Sequence, residues 1–67
     1  MHELSLAWSV VELVEKELAL HGGGSVRCIE ITIGDLSGVD NDAFLFSLNM
    51  VLERSAFAGA RVMVDRV

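Results

Sequence analysis

The stretch VRCIEITI (residues 26–33) decides the fold of this chain. Its apolar and polar residues alternate, with three isoleucines on one face and Glu30 and Thr32 on the other. Such alternation of β-branched residues is typical of a strand that covers a core with one face. The sequence therefore predicts a strand at 26–33 whose isoleucine face is buried.

Amphipathic helices are predicted on both sides of this strand, because apolar residues recur there at spacings of three and four. The first helix runs from Glu3 to His21, before the glycines of 22–24, which close helices readily. Its predicted core stripe is Leu4, Ala7, Trp8, Val11, Val14 and Leu18, flanked by Leu6, Val10 and Leu13. The second runs from Asp42 to about Phe57, with Asp40 as its predicted N-cap. Its predicted core stripe is Phe44, Leu45, Leu48, Val51 and Leu52.

A second strand is predicted at 60–65, which gives the order helix–strand–helix–strand. A strand–helix–strand unit packs its helix on one face of the sheet that the strands form. The predicted fold class is therefore α+β, with the helices in one layer and a small sheet in the other. A sheet of two strands is marginal, so we expect a further strand from a missing segment or from another chain.

Length and composition predict one small domain, residues 1–67. A core of this size supplies little stability without a staple or a partner. The single cysteine, Cys28, excludes an internal disulfide, and no Cys/His cluster is present to hold structural zinc. Because 52% of the residues are hydrophobic, we expect part of the apolar surface to be covered by another chain or by a missing segment.

Charge and motif content narrow the function classes. Ten acidic and five basic residues give a net charge of −5, which argues against nucleic-acid binding. The apolar runs are too short to span a membrane, and Glu3 interrupts the opening where a signal peptide would be apolar. A single unpaired thiol and the lack of a recognisable signal peptide are consistent with the reducing cytoplasm. No nucleophile–base pair or phosphate-binding loop is recognisable, so an enzyme is not predicted.

The opening Met1-His2-Glu3 is the first candidate site. A free terminal amine and an adjacent imidazole can chelate Ni(II) or Cu(II), which favour planar nitrogen sites. The amide nitrogens of His2 and Glu3 could complete a plane of four nitrogens. We expect Met1 to be retained, because its removal generally requires a small second residue. Taken alone, a polar terminus before a helix is the simpler interpretation, just as N-capping alone explains Asp40.

The order of these features resembles the amino-terminal domain of the HypA/HybF family of hydrogenase nickel-incorporation proteins. The resemblance is carried by the opening MHE, the glutamates near 15–17 of the first helix and the loop Ile33-Gly34-Asp35-Leu36-Ser37. The acid at Asp40 and the aromatic-rich helix start at 43–46 follow in matching order. The resemblance covers all 67 residues.

This resemblance implies a nickel metallochaperone for maturation of [NiFe]-hydrogenase, and in some members of urease. It implies Ni(II) bound through His2, its backbone nitrogen and that of Glu3, with the amine of Met1 and Asp40 also involved. The implied partners are a HypB-like GTPase and the hydrogenase large subunit. With it, a metal site becomes the preferred interpretation of the chain's opening.

One departure from the family concerns zinc. Full-length members hold zinc in a second domain through two CxxC pairs. That domain is inserted before a final strand, which returns to the sheet of the first domain. This sequence contains neither the zinc domain nor the final strand. We therefore expect a chain that is truncated relative to the family and has an open strand edge. Such an edge favours a homodimer or a strand-exchanged oligomer. The competing hypothesis is a small protein-interaction or dimerisation domain with no metal role.

Overall fold

A computed structural model describes residues 2–67 of the chain. Its elements are helix α1 (Glu3–Leu20), strand β1 (Cys28–Ile33), a short 3₁₀ helix (Asp35–Ser37), helix α2 (Asn41–Glu53) and strand β2 (Arg61–Arg66). The predicted order of helix, strand, helix and strand is confirmed, and the fold class is α+β.

Within the described residues the sheet has two strands, β1 and β2, which run parallel to each other. Their register pairs Cys28 with Arg61 and Ile33 with Arg66. The parallel direction follows from the α2 crossover, which returns the chain to the same end of the sheet before β2 begins. In residues 2–67 both outer edges of the sheet therefore lack a neighbouring strand.

One core holds the two layers together. Its buried residues are Ala7 and Val11 of α1, Ile29 and Ile33 of β1, Phe44, Leu48, Val51 and Leu52 of α2, and Val39 and Phe57 from the connections. The helices contact each other and cover the isoleucine face of the sheet. The core face predicted for β1 is thus confirmed, and so is that predicted for α2 except for Leu45, which is half-buried and outside the core.

The predicted core stripe of α1 was too wide. Leu4, Trp8 and Leu13 are exposed to 39%, 47% and 59%, whereas Ala7 and Val11 form the buried centre. A helix in a two-layer domain turns only one side to the core, so apolar residues on its flanks remain at the surface.

The second helix ends at Glu53, earlier than the predicted Phe57. The Ser55 hydroxyl donates to the Leu52 carbonyl at 2.8 Å and accepts the Phe57 N–H at 3.0 Å. A serine that bonds neighbouring backbone groups offers the chain an alternative to helical geometry. The resulting turn carries Phe57 back into the core, where it is buried.

Candidate metal centre

The helix N-termini and the carboxyl ends of the strands lie at one end of the domain. Strand β1 ends at Ile33, and the connection from Gly34 leads directly to the start of α2. The start of α1 is joined to this connection by a contact of 3.5 Å between Glu3 Oε2 and the Asp40 nitrogen. Because this end brings together residues of the predicted site, it is the candidate site.

His2 lies immediately before α1 and is exposed. Its backbone is extended, and its side chain makes no capping hydrogen bond to the helix. Its carbonyl accepts the Leu6 N–H at 3.1 Å, which is the first hydrogen bond of the helix. Within the described residues the imidazole therefore makes no hydrogen bond that stabilises the helix start. Met1, the other predicted terminal ligand, lies outside those residues.

Glu3 is the first residue of α1 and is half-buried. An acid in the first turn complements the positive end of the helix dipole, and its carboxylate also receives the Asp40 N–H. At 3.5 Å this hydrogen bond is long. It nevertheless brings together two of the predicted site residues that are 37 positions apart in sequence.

Asp40 is the N-cap of α2, as predicted. Its Oδ1 accepts the Ala43 N–H at 3.1 Å, and its backbone is extended. Within residues 2–67 no donor is assigned to the second carboxylate oxygen, and the residue is exposed. The capping role and a second interaction are therefore compatible for this side chain.

The loop between Gly34 and Asp40 is fastened to the end of β2 by a residue that the sequence did not single out. Arg66 donates from Nε to Asp35 Oδ1 and from Nη1 to the Val39 carbonyl, each at 3.2 Å. The backbone adds a bond of 2.6 Å from the Asp35 N–H to the Val67 carbonyl. No local signal marks Arg66, because its contacts depend on the register between two distant strands.

Side chains alone do not form a metal cage here. In residues 2–67 no three His, Cys, Asp or Glu side chains are arranged to hold a metal ion. This also applies to zinc, since structural zinc needs four Cys or His ligands and Cys28 is the single thiol of these residues. A metal at this end would depend on main-chain nitrogens. None of the helices in the part of the chain that the structure describes has the length and hydrophobicity of a membrane span.

Two helices on a small parallel sheet, with a histidine and two carboxylates at one end, define a small α+β binding domain. The chain belongs to the HypA family, since the sequence model described as "Hydrogenase/urease nickel incorporation, metallochaperone, hypA" matches residues 1–67. This is a family of metallochaperones and not of enzymes, so the prediction that the chain is not an enzyme is confirmed.

Curated relatives of the chain carry the same family name. The chain is 39% identical over 67 residues to a hydrogenase maturation factor HypA of Roseiflexus sp. (strain RS-1), covering 100% of the chain and 54% of that protein. It is 42% identical over 67 residues to the same factor of Geobacter metallireducens, covering 100% and 58%. The chain thus spans a little over half the length of these relatives.

Proposed function

We propose that this domain binds Ni(II) at its N-terminus, through the Met1 amine, the main-chain nitrogens of His2 and Glu3 and the His2 imidazole. The observation that carries the proposal is the start of α1 at Glu3, directly after His2. The first four N–H groups of a helix have no acceptor within it. Nickel at these nitrogens would therefore break no helical hydrogen bond.

The charge of such a complex suits this position. Two amide nitrogens that bind as anions balance the charge of Ni(II), so the complex with a neutral amine and imidazole carries no net charge. The helix start has the partial positive charge of the dipole, which favours anionic amides and would repel an unbalanced cation. The Glu3 carboxylate adds compensation within the same turn.

Asp40 acts in this proposal as an outer or transient ligand. Its backbone lies against the Glu3 carboxylate, and its cap uses Oδ1 while Oδ2 remains available. A carboxylate beside a ligand set orients ligands or assists exchange of the metal. An exposed site with such a group suits a carrier, which must release its cargo.

The family match supports delivery of this nickel for maturation of [NiFe]-hydrogenase, and its description also names urease. The proposed partners are a HypB-like GTPase and the hydrogenase large subunit, and the proposed location is the cytoplasm. No zinc role is proposed for these residues, because they contain one cysteine.

Titration with Ni(II) tests the N-terminal site. His2→Ala and a variant with one glycine added before Met1 should each lose binding, because one removes the imidazole and the other displaces the amine. The matched control is His21→Ala, which removes the other histidine of the chain. His21 caps the far end of α1, about 27 Å away along a helix of 18 residues, so its loss should leave binding unchanged. Stoichiometric binding that survives both N-terminal changes would exclude the site.

A protein-interaction domain is the second candidate function, favoured by the exposed apolar residues. Leu20 and Phe46 are exposed to 72% and 70%, and both edges of the sheet are open within residues 2–67. An exposed strand edge favours pairing with another chain. Analytical ultracentrifugation of wild type and His2→Ala separates the functions: nickel binding lost with an unchanged oligomeric state supports the nickel site, while assembly without any nickel binding supports the interaction domain.

A further inference from the structure

The peptide group between Val39 and Asp40 is hydrogen-bonded on both sides. Its carbonyl accepts from Arg66 Nη1 at 3.2 Å, and its N–H donates to Glu3 Oε2 at 3.5 Å. A cation at the oxygen and an anion at the N–H polarise the amide in the same direction, so each bond strengthens the other. This one peptide group therefore connects the end of β2 with the first residue of α1.

Arg66 is oriented for this contact by a second acceptor. Its Nε donates to Asp35 Oδ1 at 3.2 Å, and the planar guanidinium can serve both acceptors from one conformation. The side chain of Arg66 is 34% exposed and that of Asp35 is 68% exposed, and ion pairs so exposed contribute little energy. The contact between Arg66 and Asp35 therefore matters less for stability than for holding the loop between Gly34 and Asp40 in its orientation.

We propose that Arg66 is a positioning residue of the nickel site. By holding the Val39 carbonyl it places the Asp40 N–H where the Glu3 carboxylate binds it. This holds the Glu3 carboxylate in place beside the N-terminal nitrogens. Arg66 does not bind the metal, because a guanidinium offers donors and no acceptor. The inference rests on the proposed nickel function.

A merely structural role for Arg66 makes a different prediction. Loss of a loop contact would lower the free energy of unfolding and leave the nickel affinity of the folded protein unchanged. A positioning role lowers nickel affinity through the Glu3 side chain. The effect of removing Arg66 should therefore depend on whether that side chain is a carboxylate.

The first comparison is Arg66→Gln against Arg61→Gln in the nickel-free 67-residue protein. Both residues lie in β2 and both changes remove one positive charge. Arg61 is exposed, and its side chain has no ion pair or hydrogen bond within residues 2–67. Isothermal titration with Ni(II) should show affinity about ten-fold weaker for Arg66→Gln, at the low end of outer-ligand effects, and unchanged affinity for Arg61→Gln. Arg66→Lys should recover part of the loss.

The second comparison repeats Arg66→Gln in a Glu3→Gln background. Because Arg66 acts through the Glu3 carboxylate, the added loss should be less than about two-fold. The absorption bands of bound nickel should shift in Arg66→Gln and not in Arg61→Gln, and the Asp40 amide should exchange faster with solvent. If Arg66→Gln does not fold, as circular dichroism would show, Arg66→Lys takes its place in the same cycle.

Two results would overturn the inference: equal nickel affinity of the Arg66 and Arg61 variants, or an undiminished loss when Glu3 is already glutamine. Failure of the proposed function has a different signature. Stoichiometric nickel binding that survives both His2→Ala and the added N-terminal glycine would exclude the N-terminal site itself, whatever the Arg66 variants do.

Discussion

Asp40 has a helix-capping role that the structure shows and a nickel role that we propose, and two substitutions separate them. Asp40→Ala removes the oxygen that accepts the Ala43 N–H at 3.1 Å. Loss of an N-cap oxygen costs about 1 kcal/mol. Asp40→Asn keeps an oxygen acceptor, and asparagine caps about as well as aspartate, so its cost should be at most a few tenths of a kcal/mol.

Urea unfolding followed by circular dichroism measures this difference. For a chain of this size the dependence of stability on urea is about 1 kcal/mol per molar, so the midpoint should fall by roughly 1 M for Asp40→Ala and little for Asp40→Asn. Asp42→Ala is the control, because Asp42 lies in the first turn of α2 but is not its N-cap. It should lose only the dipole contribution, about 0.3–1 kcal/mol.

Nickel titration of the same variants completes the test. If the Asp40 carboxylate assists the metal, Asp40→Asn should bind nickel about ten-fold more weakly although its stability is close to that of the wild type. Wild-type affinity in Asp40→Asn would leave Asp40 with capping alone. Equal destabilisation by asparagine and alanine would refute the capping argument.

Two further predictions concern stability, and unfolding in urea measures both. Phe44 is fully buried and Phe46 is 70% exposed, so Phe44→Ala should cost about 3–5 kcal/mol and unfold much of the population, whereas Phe46→Ala should cost less than about 0.5 kcal/mol. Equal costs would contradict the observed face of α2. Gly38 has φ +76° with no atom close to an added Cβ, so Gly38→Ala should cost about 1 kcal/mol from backbone strain alone. Gly34, at φ −70°, should tolerate alanine without loss.

The elements of the fold could be predicted because each has a local signal. Alternation marks β1, and helical spacing marks α1 and α2, so the core positions Val11, Ile29 and Phe44 follow from the pattern. Trp8 could not be placed correctly in the same way. Its spacing fits the apolar stripe, but which side of that stripe meets the second layer is decided by packing between elements.

The candidate site was predictable only in part, for a related reason. His2 and Asp40 are recognisable from the residues that follow them, since each precedes a helix. The link between Glu3 and Asp40 and the clamp by Arg66 join residues 37, 27 and 31 positions apart. The Arg66 contacts depend on the register of β1 with β2, and the Glu3 contact depends on how α1 packs beside the loop. A local pattern specifies neither.

The long separation of these contacts has a kinetic consequence. Helices form from neighbouring residues, whereas contacts between distant residues require closure of long loops and form more slowly. We therefore expect the end of the molecule that holds Glu3, Asp40 and Arg66 to be assembled last, after β2 has docked beside β1. A chain caught before that step would have both helices but no ordered contacts of Glu3 and Arg66 with the loop, so we expect it to bind nickel more weakly than the fully folded protein.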